Sequence, residues 1–180
     1  MAKIRERLGK EILKRKKRGV PREICVHNFK TAKTAIILFD TGDKLSFKAI
    51  KEFKKFLESE QIEVSTFGYV DQKEIPQELL FLKNYAFITR KDLNWYKKPS
   101  GEAVNAFYAA APDLLFDFTP DLSLELQYLV QLSTAHFKVG CFTEEQNDYD
   151  LMISLKDNLE ISFLAEQFKR YIAMLNPVNE

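Results

Sequence analysis

Three stretches of this chain carry residues whose types and spacing could do chemistry. The first is Asp40-Thr41-Gly42-Asp43, at the end of the apolar run TAIILFD over 34–40. A carboxylate at the mouth of a buried strand can act as a general base or as a polar anchor for a ligand. The second runs from Arg90 and Lys91 through Asn94-Trp95-Tyr96-Lys97-Lys98-Pro99-Ser100-Gly101. Two aromatics, two lysines and a Ser-Gly pair there precede a predicted helix start, where backbone N–H groups favour an anion. Arg90 and Lys97 could hold that anion while Trp95 stacks on a flat ring, as a nucleotide or flavin would require. The third is Lys14, Arg15, Lys16, Lys17 and Arg18, five consecutive cations suited to phosphate contacts. Thr119 and Asp121, behind the run 114–118, complete the candidates. Asp43, Ser100, Thr119 and Asp121 also have a plain structural reading, because such residues cap helices whether or not a ligand exists.

Several familiar chemistries are excluded. The D-T-G triplet at 40–42 matches that of aspartic proteases, which need two aspartates sharing a proton. There is no second triplet and no glycine-rich flap pattern, and this one leads into a helix. Haloacid-dehalogenase-like phosphatases keep a nucleophile where Asp40 stands but need a second Asp two residues on, where this chain has Gly42. Neither G-x-G-x-x-G nor a P-loop occurs. The two Cys, Cys25 and Cys141, read as reduced thiols of a cytoplasmic protein. The two His are His27 and His136. Cys25 and His27 are close, but nothing nearby completes a zinc set, so both His read as structural and no metal is expected.

Charge divides the chain. Residues 1–23 carry ten Lys/Arg against three Glu, a net of +7. The body, 24–180, carries 17 basic and 23 acidic residues, a net of −6. The formal total of +1 therefore conceals a basic arm on an acidic body. Ile4, Leu8, Ile12 and Leu13 give the arm one narrow apolar stripe at helical spacing, ended by Gly19 and Pro21. Three readings follow. The stripe packs on the chain's own body, or the cations dock on RNA or a ribonucleoprotein, or the helix lies on an anionic membrane surface. The absence of Trp and Phe from the stripe argues against the last. If the arm is the docking element, removing residues 1–20 is expected to leave the body folded.

The elements that must position these residues alternate. Strands are predicted at 34–40, 62–70, 86–89, 114–118, 136–142 and 151–155. Between them helical spacing appears at 45–60, from Pro76, at 101–111 behind Ser100, and from Thr119-Pro120-Asp121 to Ser133, with a last helix at 159–175. The segment EEQND suggests a tight antiparallel return between the last two strands. With 180 residues, 46% of them hydrophobic, one body is expected, and no apolar run approaches the roughly 20 residues of a membrane span. Alternating strands and helices predict a three-layer α/β sandwich with a mostly parallel sheet of five or six strands. A flavodoxin-like order, 2-1-3-4-5, is the first expectation and a Rossmann-like order the second. In such sheets ligands bind outside the carboxyl ends of the strands, where Asp40, Thr41, Asp43, Arg90 and Thr119 would lie.

The basic start, Asp92-Leu93-Asn94-Trp95, Leu115-Phe116-Asp117-Phe118-Thr119-Pro120, His136-Phe137-Lys138-Val139-Gly140 and Tyr149-Asp150-Leu151-Met152-Ile153 together resemble an uncharacterised bacterial family known only as a domain of unknown function. The resemblance spans nearly the whole chain and implies no catalytic residue. Two functions are therefore expected as alternatives. The first is a non-enzymatic domain docking on RNA or a ribonucleoprotein through Lys14 to Arg18. The second is a small-molecule binding protein or enzyme with its site at the strand ends.

Overall fold

The computed structural model describes residues 2–42, 44–120, 123–144, 148–155 and 160–177. Helix α1 (Ala2–Lys17) precedes strand β1 (Thr34–Asp40), followed by α2 (Lys44–Ser59), β2 (Glu63–Val70), β3 (Tyr85–Thr89) and α3 (Glu102–Ala109). Then come β4 (Leu114–Asp117), α4 (Leu124–Leu132), β5 (Phe137–Cys141), β6 (Leu151–Ile153) and α5 (Ile161–Met174). The six strands form one parallel sheet in the order β3-β2-β1-β4-β5-β6. This is the doubly wound, Rossmann-like order, with its switch point between β1 and β4.

The run IILF in β1 feeds both faces of the sheet, because successive side chains point opposite ways. Ile37 and Phe39 join Ile50, Phe53, Leu57, Leu164, Phe168 and Ile172 beneath α2 and α5. Ile36 and Leu38 join Val104, Phe107, Leu126, Leu129 and Val130 beneath α3 and α4. Phe53 packs edge-on against Phe116 and Phe118, with ring centroids 4.9 and 5.0 Å apart. Edge-to-face geometry suits the aromatic quadrupole and adds to plain burial.

All nine residues of α4 are buried. Its inner face meets the sheet, and its outer face is covered by α1. Leu13 packs with Leu124, Tyr128 and Leu132, and the Tyr128 hydroxyl donates to the Gly9 carbonyl at 2.7 Å. Close approach explains the glycine: a Cβ at position 9 would lie 2.6 Å from Leu124 Cδ2 and 2.7 Å from the Tyr96 carbonyl. The first reading of the arm's stripe thus holds for Leu13, while Ile4 stays 71% exposed. No helix among the described residues is long and apolar enough to cross a membrane.

Two local expectations are overturned. β6 runs parallel to β5, with Val139 opposite Leu151, instead of returning antiparallel. The connection from Phe142 to Asp150 is long enough to travel back along a short strand. It is held there by Asp150, whose carboxylate accepts from the Lys138 N–H at 2.7 Å and whose own N–H donates to the Lys138 carbonyl at 2.9 Å. The second concerns α4, which begins at Leu124 rather than at Thr119-Pro120. Thr119 donates its N–H to Asp117 Oδ1 at 2.9 Å, and its hydroxyl bonds the same oxygen. A buried carboxylate at the end of β4 therefore claims the hydroxyl that would have capped a helix.

Candidate functional site

A cleft of about 480 Å³ opens at the carboxyl ends of the strands. It is lined by Arg5, Asp40, Tyr69, Asp71, Arg90, Leu93, Asn94, Lys97, Ser123 and Glu125. The strand order explains why these residues meet. β1 contributes Asp40, β2 contributes Tyr69 with Asp71 just beyond its end, and β3 hands over to Arg90. The first turn of α4 supplies Glu125, the loop after β3 supplies Asn94 and Lys97, and α1 crosses close enough to add Arg5.

Local bonds aim the side chains. The Asp40 carboxylate accepts the Gly42 N–H at 2.8 Å, a tight turn in which a Cβ on residue 42 would crowd Asp40 Oδ1 at 3.2 Å. Thr89 opens a short turn over Arg90–Asp92. Its N–H and hydroxyl both donate to Asp92 Oδ2, at 2.7 and 2.9 Å. Asn94 Oδ1 accepts from the N–H groups of Tyr96 and Lys98, at 3.1 and 2.9 Å, which folds the loop back and brings Lys97 inward.

Three acids and three bases share the cleft. Arg90 is bidentate on Asp71, at 2.6 and 2.7 Å, and Tyr69 donates to the same carboxylate at 3.0 Å. The Arg90 bond holds the Asp71 carboxyl below its ordinary range, more than offsetting the opposing effect of burial. Lys97 Nζ lies 3.2 Å from Glu125, which is 5% exposed. Arg5 donates through Nε to the Trp95 carbonyl and has no carboxylate partner among the described residues. Burial lifts the Asp40 carboxyl above the usual range; the Gly42 bond opposes this, and the charges on Asp71 and Glu125 add to it. A carboxylate so placed can hold or accept a proton beside a bound ligand.

The cleft brings together Asp40, Arg90 and Lys97 of the strand-end candidates. Thr41 points elsewhere, its hydroxyl donating to the Tyr69 carbonyl at 3.1 Å. Trp95 is 59% exposed and packs edge-on against Tyr96, outside the cleft lining. Ser100 donates through Oγ to the Asp92 carbonyl at 3.2 Å, and Gly101, at φ 115°, takes the N-cap position of α3 without a side-chain cap. Thr119 is turned to Asp117, and Asp43 and Asp121 lie outside the described residues. Arg5, Tyr69, Asp71 and Glu125 were not singled out by motif. An alternating strand such as β2 offers Tyr69 as plain core, and nothing short of the strand order places Asp71 opposite Arg90. Of the basic run, Lys14, Arg15, Lys16 and Arg18 remain exposed, whereas Lys17 pairs with Asp148 at 2.7 Å.

Compared with known proteins, residues 3–175 match the model of one family, described as a family of unknown function (DUF6913). No curated protein and no solved structure matches the chain.

Proposed function

The chain belongs to this family of unknown function and inherits no activity from it, so we propose from the cleft itself that it binds a small polar ligand with an anionic group, a nucleotide or another phosphorylated molecule. One observation carries this reading: Arg5 of α1 and Arg90 and Lys97 of the connection after β3 converge on one cleft at the carboxyl ends of the strands. Arg5, held through Nε by the Trp95 carbonyl, keeps a guanidinium with no carboxylate partner among the described residues, and Arg90 and Lys97 would share their donors between the ligand and their resident carboxylates. Asp40 would anchor a hydroxyl or exchange a proton with it. Such a site suits a binding protein, or a hydrolase or transferase acting on a phosphorylated substrate.

The test is thermal unfolding of the full chain with AMP, FMN and inorganic phosphate. A ligand at about 100 times its Kd adds about 2.7 kcal/mol, a rise of roughly 5–10 °C for a chain of this size. Arg90→Ala and Asp40→Asn should each remove most of that rise. No rise with any of the three, or a rise that both variants keep, would overturn the assignment.

A second reading, docking on RNA or a ribonucleoprotein, is favoured by Lys14, Arg15, Lys16 and Arg18. All four are exposed, and none has a carboxylate partner among the described residues. Leu13 is committed to the body, which leaves Ile4 and Leu8 as the exposed part of a stripe that holds no Trp or Phe to anchor it in a membrane. Removing residues 1–20 would strip the cover from Leu124, Tyr128 and Leu132, so substitution is the sounder probe. Changing these four residues together to Ser should abolish binding of single-stranded RNA. The parent protein should show a log–log salt slope of about −3, at about −0.7 per phosphate. Binding that ignores salt, or survives the substitutions, would rule the reading out.

A further inference from the structure

At the amino-terminal edge of the sheet, on the opposite side from the cleft, three residues far apart in sequence meet. We propose that His27, Asp113 and His136 form a binding site for a divalent transition metal of the zinc class. One ligand atom from each lies within 4.8 Å of the other two. Asp113 Oδ1 stands 3.4 Å from His136 Nδ1 and 3.8 Å from His27 Nε2. Around zinc with bonds of about 2.0–2.1 Å, tetrahedral ligand atoms stand about 3.3–3.4 Å apart. The two carboxylate–imidazole distances stand within a few tenths of an ångström of that spacing, and the two imidazole nitrogens lie within 4.8 Å of each other.

The second observation is an unsatisfied ring. Both nitrogens of His27 are buried and neither has a hydrogen-bond partner. Buried polar atoms in folded proteins are almost always paired, so an imidazole left in this state points to a missing partner. Asp113 divides its carboxylate between two tasks. Oδ2 accepts from the N–H groups of Lys33 and Thr34, at 2.7 and 3.0 Å, and from the Thr34 hydroxyl at 3.2 Å. Those bonds tie the starts of β1 and β4 together and leave Oδ1 facing the two histidines.

The surroundings hold the second histidine in place. Arg22 donates to the carbonyls of Ala135 and His136, at 2.7 and 3.1 Å, and pairs with Asp150. The Cys25 N–H donates to the His136 carbonyl at 3.3 Å. These contacts clamp the segment before β1 across the start of β5, so that His27 stacks on His136 with centroids 5.8 Å apart and planes 18° from parallel. Two imidazoles and one carboxylate leave a fourth position for water or an anion. His136, one-third exposed, borders solvent at 33%. An open, three-ligand set is the pattern of a reactive zinc rather than of a closed structural one.

The test uses the full chain free of any histidine tag, titrated with CoCl2 and followed by visible absorption. The expected result is the intense d–d absorption of four-coordinate Co2+, bleached by ZnCl2. His27→Gln, His136→Gln and Asp113→Asn should each weaken binding at least tenfold, since even outer-shell changes at metal sites cost about 10–100-fold. Cys25→Ser should leave the spectrum unchanged. His136, at the surface, gives a variant whose metal-free melting temperature should match the parent's, so its loss of binding is not loss of fold. No absorption from folded protein in millimolar CoCl2 would overturn the proposal. So would absorption kept by His136→Gln, or absorption lost in Cys25→Ser, which would give the metal to the thiol.

Discussion

Gly140→Ala is expected to destabilise the protein by about 3 kcal/mol, the sum of an overpacked contact and a displaced hydrogen bond. A Cβ on Gly140 would lie 2.4, 2.5 and 2.8 Å from three carbons of the Tyr149 ring. The ring has no slack to give, because its hydroxyl donates to Asp117 Oδ2 at 2.6 Å. Moving it aside takes one of the hydrogen bonds from a fully buried carboxylate. Overpacking alone costs about 1–3 kcal/mol, and a hydrogen bond to a charged acceptor contributes about 1.5–3 kcal/mol. Urea unfolding measures the loss. In a Tyr149→Ala background the same glycine substitution should cost less than about 1 kcal/mol, since the two sites are in contact and should couple. Equal costs in the two backgrounds would show that the ring contact is not the cause.

Asp117 itself should impose a pH dependence that Asp117→Asn removes. Burial pushes its carboxyl from 3.8 up to about 6, against the pull of the bonds from Thr119 and Tyr149. Below pH 4 the carboxyl is protonated in both the native and unfolded chains and contributes no difference. As pH rises from about 4 to 6, the unfolded chain releases its proton while the native one keeps it, so stability falls. Above about 6 both are ionised and the penalty is constant, near 3 kcal/mol at about 1.4 kcal/mol per pH unit. Asn carries no such proton. The variant should therefore gain on the parent by about 2–3 kcal/mol between pH 4 and pH 7.5. Parallel stability curves across that range would sink the assignment of the slope to Asp117.

Much of the architecture was legible because the apolar runs are short, β-branched and separated by helical spacing, as at 34–40 and 45–60. Such runs announce strands covered on both faces. The direction of β6 was not legible, since the polar connection to it resembles a hairpin until Asp150 and Tyr149 are seen lying back along β5. The site divides in the same way. Asp40 and Arg90 stand at strand ends, which a general rule about parallel sheets singles out. Arg5 and Glu125 enter through helix packing, and no local pattern encodes that. The cluster of His27, Asp113 and His136 escaped a search for close ligand spacing because its members are neighbours only across three different segments. Ser100 and Thr119 show the opposite failure: both are good capping residues by type, and both are claimed by nearby acceptors instead.

The seating of α1 on α4 also bears on how the chain is made. About a hundred residues separate Lys17 from Leu124, so α1 leaves the ribosome long before its seat exists. At roughly 5–20 residues per second that interval lasts on the order of 5–20 s. During that time α1 must survive as a solitary helix without clumping. A single deep anchor at Leu13, set among cations, meets that need, because a broader apolar face would invite association before its partner was synthesised. The positive charge of the arm would then also help keep the nascent chain soluble, quite apart from anything the finished protein binds.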